Sequence, residues 1–172
     1  MSKFLKNIFK NKFVKSIGVY TISDVLNKLV PFLLLPILTR YLSPSDYGII
    51  AIFGVFISIL GVFISIESHT GIGVNFFKLS KDQLKLYIGN VLILVAITTS
   101  LVLATVLILH NYITNLIELS FEWLIIGVFV TVLNFITTIN LILWQSEHKP
   151  VNFGIYQISQ TILNLGLSLI LI

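Results

Sequence analysis

The stretch TISDVLNKLVPF, Thr21 to Phe32, decides how this chain is read. It lies within a run, residues 16–39, long enough and apolar enough to cross a membrane, yet it carries Asp24, Asn27 and Lys28. A charge in hydrocarbon is costly and is kept where it meets a partner or a water-filled space. The fold therefore depends on whether the rest of the chain is membrane too, and the function on what these residues face.

Working outward, the rest of the chain agrees. Of 172 residues, 56% are hydrophobic and only 10% charged, and the mean hydropathy is +1.01. A soluble domain has about a quarter of its residues charged. Crossing a bilayer as a helix takes roughly 20 apolar residues, and five segments qualify: 16–39, 48–66, 87–109, 121–144 and 153–172. None alternates with a period of two, so a β-barrel is excluded and an all-α integral membrane protein with a five-helix bundle over 16–172 is expected.

The charge balance is +4, but its distribution speaks against nucleic acid as a partner. Lys3, Lys6, Lys10, Lys12 and Lys15 precede the first span, Lys78, Lys81 and Lys85 follow the second, and Lys149 follows the fourth. Nine of the eleven lysines and arginines thus fall on one side, which the positive-inside rule assigns to the cytoplasm together with the N-terminus. Residues 1–15 read as a basic amphipathic segment on the membrane surface, with Phe4, Leu5, Ile8, Phe9 and Phe13 on one side, and membrane lipids are its expected partners. There is no cysteine, and His69, His110 and His148 read as scattered over different loops, so no metal site and no catalytic residues are assigned. The run TILNLGLSLILI ends while still apolar, as a piece of a longer chain would.

Polar residues recur at helical spacing in three spans. The first has Thr21, Asp24, Lys28 and Pro31; the fourth has Gly127, Thr131, Asn134, Thr138 and Gln145; the fifth has Gln157, Gln160, Thr161, Asn164 and Ser168. Hydrogen-bonding groups are unsatisfied against lipid tails, so these stripes should face the bundle, either bonding helix to helix or lining a shared hydrated cavity. Gly54, Ser58, Gly61 and Ser65 in the second span read instead as a small-residue packing ridge. Asp24 and Lys28, four apart with the acid first, share a helix face and are expected to neutralise each other. Lys28 lies about 12 residues, or roughly 18 Å, into the span, too deep to reach the surface easily. Its functional reading is attraction of an anionic headgroup, with Asp24 balancing charge or exchanging a proton. Pro31 and Pro36 should bend the first helix. Ser43, Pro44 and Asp46 form the signature of a capped helix start.

The run NKLVPFLLLPILTRYLSPSDYGI, Asn27 to Ile49, resembles the amino-terminal signature of the polysaccharide-exporter family. These are the Wzx-type O-antigen and repeat-unit flippases of the multidrug/oligosaccharidyl-lipid/polysaccharide exporter superfamily. GIGVNFFKLSKD and SEHKPVNFGIY resemble the family's cytoplasmic connections more loosely. The resemblance implies a bundle of some 12–14 helices in two lobes, of which this chain would form part of the first. It also implies translocation of undecaprenyl-diphosphate-linked oligosaccharide across the bacterial inner membrane by alternating access, with the polysaccharide polymerase machinery as a further partner. Asn27, Lys28 and Arg40 match the motif, Lys28 being placed to meet the diphosphate and Arg40 to anchor the helix or gate it with Pro31 and Pro36. Asn27, Thr131, Asn134, Gln157 and Asn164 complete the expected substrate-binding set. No organic cofactor is expected; H+ or Na+ would be the coupling ion, with Asp24 as its candidate site. The alternatives are an ion-coupled multidrug antiporter of the same superfamily and an inactive membrane scaffold. A membrane enzyme of lipid-linked sugars fits poorly, because the aspartates are only Asp24, Asp46 and Asp82, with no paired acids for metal or base chemistry.

Overall fold

The computed structural model describes residues 12–170. They form six helices: α1 (Lys12–Tyr41), α2 (Pro44–Ser65), α3 (Ser68–Phe76), α4 (Lys81–Ile117), α5 (Phe121–Ser146) and α6 (Pro150–Ile170). There is no strand among the described residues. The chain is an all-α membrane protein, and α2, α4 and α5 are each long and apolar enough to cross a bilayer. The basic segment 1–15 lies, except for its last four residues, outside the described residues.

Local chemistry sets the helix starts. Ser43 Oγ accepts from the Asp46 amide at 3.2 Å, the Ser43 amide donates to Asp46 Oδ2 at 3.0 Å, and Pro44 occupies the first helical position. This is the cap that the sequence signature foretells, satisfying backbone donors that a helix start leaves unpaired. Ser80 and Gln83 repeat the device at α4, with the Ser80 amide donating to Gln83 Oε1 at 3.0 Å. That second cap starts α4 at Lys81, six residues before the apolar run taken as the third span. Pro31 and Pro36 do not interrupt α1, which is helical throughout.

Two compact units divide the chain, residues 1–42 with 144–172, and residues 43–143. In the first, α1 and α6 pack side by side. Tyr20 meets Phe153 edge-on with ring centroids 4.9 Å apart, and a Cβ at Gly154 would stand 3.1 Å from both Ser23 Oγ and Val19 Cγ1. Farther along, Thr161 Oγ1 donates to Asn27 Oδ1 at 2.8 Å. Both helices advance in the same sense from contact to contact, so they run parallel.

In the second unit the core is built by Leu60 and Ile64 of α2, Val91, Val95 and Val106 of α4, and Leu124, Val128, Phe135 and Ile139 of α5. Gly127 lets α5 close on α2: an added Cβ would lie 2.8 Å from the Phe56 ring. Gly71 does the same for α3 against α4, with the Tyr87 hydroxyl occupying the place of a Cβ. Thr98 Oγ1 donates to the Ile64 carbonyl at 2.7 Å, which fixes α2 beside the middle of α4.

Candidate functional site

In the first unit, Ser23, Asn27, Gln157 and Thr161 form a polar seam between α1 and α6. Ser23 is buried, as are Gln157 and Thr161, and Thr161 bonds both Asn27 and the Gln157 carbonyl at 2.8 Å. Gln157 Oε1 and the Tyr20 hydroxyl are buried without a hydrogen-bond partner. The face of α1 that meets α6 is thus the one with Ser23 and Asn27. Asp24 and Lys28 stand one position round from it and are exposed. Among the described residues neither has an ion-pair partner within 4.0 Å, so the mutual neutralisation expected from their spacing does not occur. Arg40 is exposed in the last turn of α1, Pro36 is exposed, and Asn164 is exposed on α6.

The second unit holds a cavity of about 270 Å³ between α2, the start of α3, and α5. Its polar lining is Ser58 and Ser65 from α2, Glu67 and His69 at the break, and Thr131, Asn134 and Thr138 from α5. Thr131 and Thr138 each donate to the carbonyl one turn earlier, at 2.7 and 2.8 Å, leaving their oxygens to accept from whatever enters. The structure therefore brings Thr131 and Asn134 together on one cavity wall, and Asn27 and Gln157 together in the α1–α6 seam.

Among the described residues no helix packs closely on the glycines of the second-span ridge. An added Cβ at Gly54 or Gly61 would meet nothing within 4 Å, and Ser58, Gly61 and Ser65 border the cavity. Close approach falls to Gly71, Gly127 and Gly154 instead. Helical spacing identifies a face but not what stands opposite it.

The break between α2 and α3 is what the sequence reading missed. Ile66 and Glu67 are both left-handed, at φ 44° and 52°, without a glycine to ease it. Such geometry costs about 1–2 kcal/mol per residue, and the surroundings hold it in place. The Glu67 amide donates to Ser65 Oγ at 3.2 Å, and Ser68 Oγ donates to the Ser65 carbonyl at 2.6 Å. His69 is on a helix, not in a loop: its ring lies edge-on to Phe135 at 6.3 Å, its Nε2 is 3.4 Å from Glu67 Oε2, and its Nδ1 is buried without a partner. His110 is likewise helical, on α4. Among the described residues no group of three His, Cys, Asp or Glu is placed to hold a metal ion.

The comparisons with known proteins agree with this architecture. The sequence profile of a family described as "Polysaccharide biosynthesis protein" matches residues 13–172. The chain is 26% identical over 151 residues, 88% of its length, to "Lsg locus putative protein 1" of Haemophilus influenzae. That match covers 35% of the relative, so the chain spans about a third of the curated protein's length. No solved structure matches it significantly. With nearly all of its residues inside the family profile, the chain belongs to the polysaccharide biosynthesis protein family.

Proposed function

We propose that this protein exports a polysaccharide precursor, moving an undecaprenyl-diphosphate-linked oligosaccharide from the inner to the outer face of the bacterial cytoplasmic membrane. The observation that carries the reading is Lys28: a cation 16 residues into the 30-residue α1, exposed and without an ion-pair partner among the described residues. A charge at that depth is retained where a polar space or an anionic ligand meets it. A diphosphate headgroup supplies the missing anion, and family membership supplies the context. The hydroxyl and amide groups on the α2–α5 cavity wall are of the kind that hydrogen-bond sugar hydroxyls. The lysine distribution supports a cytoplasmic N-terminus.

The test is complementation. In a strain lacking its own flippase, the complete gene product restores surface polysaccharide, Lys28→Ala abolishes it, and Lys28→Arg retains part by keeping the charge. Membrane protein level is the control. Normal export by Lys28→Ala at a normal protein level overturns the role of Lys28.

A further inference from the structure

We propose that Glu67 and His69 form a proton-binding site at the break between α2 and α3, and that its loading drives the transport cycle. The proposal rests on the export reading above, but it places the coupling site in a different part of the chain from Asp24.

Depth comes first. The Ile64 carbonyl is bonded to Thr98, the middle of the 37-residue α4, and His69 packs on Phe135, close to the middle of the 26-residue α5. Counting 1.5 Å per residue, Phe135 lies about 2 Å from the centre of its helix. Glu67 and His69 therefore sit level with the middle stretches of α4 and α5, two helices long enough to cross the bilayer. A helix broken at that depth, with an acid and a histidine at the break, opens onto a cavity rather than onto lipid.

Access and chemistry follow. The Glu67 side chain is 71% exposed and that of His69 24%, and both line the cavity. Nε2 lies 3.4 Å from the Glu67 carboxylate, and Nδ1, the other ring nitrogen, is buried without a partner. An arriving proton adds to the exposed Glu67 carboxylate, changing the pair from net −1 to no net charge, and it leaves from the same atom. Only an O–H bond forms and breaks. Facing groups do not compensate the charge. From α5 come Thr131, Asn134, Thr138 and Phe135, from α2 come Ser58 and Ser65, and from α4 the Tyr87 hydroxyl stands beside Gly71. Among the described residues no lysine or arginine lines the cavity. A site that is charged when empty and neutral when loaded, placed at a strained hinge, couples protonation to helix position.

The experiment uses the complete gene product in vesicles of phosphatidylethanolamine and phosphatidylglycerol, with a radiolabelled prenyl-diphosphate monosaccharide as probe. Wild type accumulates the probe under a pH gradient. Glu67→Gln and His69→Gln lose that accumulation while still exchanging probe without a gradient, and Glu67→Asp recovers part of it. Variants that accumulate like wild type overturn the site. A wild type that exchanges probe but ignores the gradient also overturns it, and leaves the export reading standing. If wild type carries no probe, the export reading fails and proton entry into dye-loaded vesicles decides the site. Faster acidification with wild type than with either variant supports it, and equal rates overturn it.

Discussion

Gly71→Ala tests the placement of α3 against α4, on which the depth of Glu67 and His69 depends. An added Cβ at Gly71 falls on the Tyr87 hydroxyl, while the next atoms, Cζ at 3.4 Å and Cε1 at 3.9 Å, are at ordinary contact distance. The clash is thus with a single oxygen. Overpacking of this kind costs typically 1–3 kcal/mol, partly offset by the roughly 1 kcal/mol that alanine gains over glycine inside a helix. Gly71→Ala alone should destabilise by about 0–2 kcal/mol. Tyr87→Phe removes the clashing atom, so the double variant should be at least as stable as Tyr87→Phe alone, by up to about 1 kcal/mol. Unfolding of the purified protein in mixed micelles, titrated with a denaturing detergent, gives all four values of the cycle. If Tyr87→Phe leaves the cost of Gly71→Ala unchanged, α3 does not lie on α4 as described.

Two further substitutions test other joints of the fold. A cycle of Asn27→Leu and Thr161→Val should show a coupling of about 0.6 kcal/mol, the usual worth of a hydrogen bond between membrane helices; it is modest because Thr161 keeps the Gln157 carbonyl as a second acceptor, and no coupling in the same titration would separate α1 from α6. Ser43→Ala removes the oxygen that accepts from the Asp46 amide and should cost about 1 kcal/mol in that assay, whereas Ser43→Asp, which keeps an acceptor, should cost less.

The all-α membrane class was legible because apolar runs of spanning length have few alternatives in a chain with so little charge. The α2 cap was legible too, since Ser43, Pro44 and Asp46 state their roles locally. What escaped were features without a local signature. The second cap begins in the polar stretch before the apolar run, so α4 starts earlier than hydropathy indicates. The α2–α3 break uses left-handed Ile66 and Glu67, and no glycine marks it. The helix after it, SHTGIGVNF, holds two glycines and reads as a loop. Nothing in that spacing marks His69 as a cavity residue, although its ring lies against Phe135. Helical spacing placed Thr131, Asn134 and Thr138 on one face, and the structure supplied the cavity in front of them. For Asp24 and Lys28 the spacing implied a pair, and no ion pair joins them among the described residues.

Export through this part of the chain requires the α2–α5 cavity to be filled with water within the membrane. The chain has no native cysteine, so single cysteines can be placed at Asn134 and Thr138, which line the cavity, and at Phe129 and Leu133, which are exposed on α5 and do not line it. With the complete gene product in membrane vesicles, a small charged thiol reagent should label the first two and spare the second two. Equal labelling of all four, or labelling of Phe129 and Leu133 alone, would contradict it.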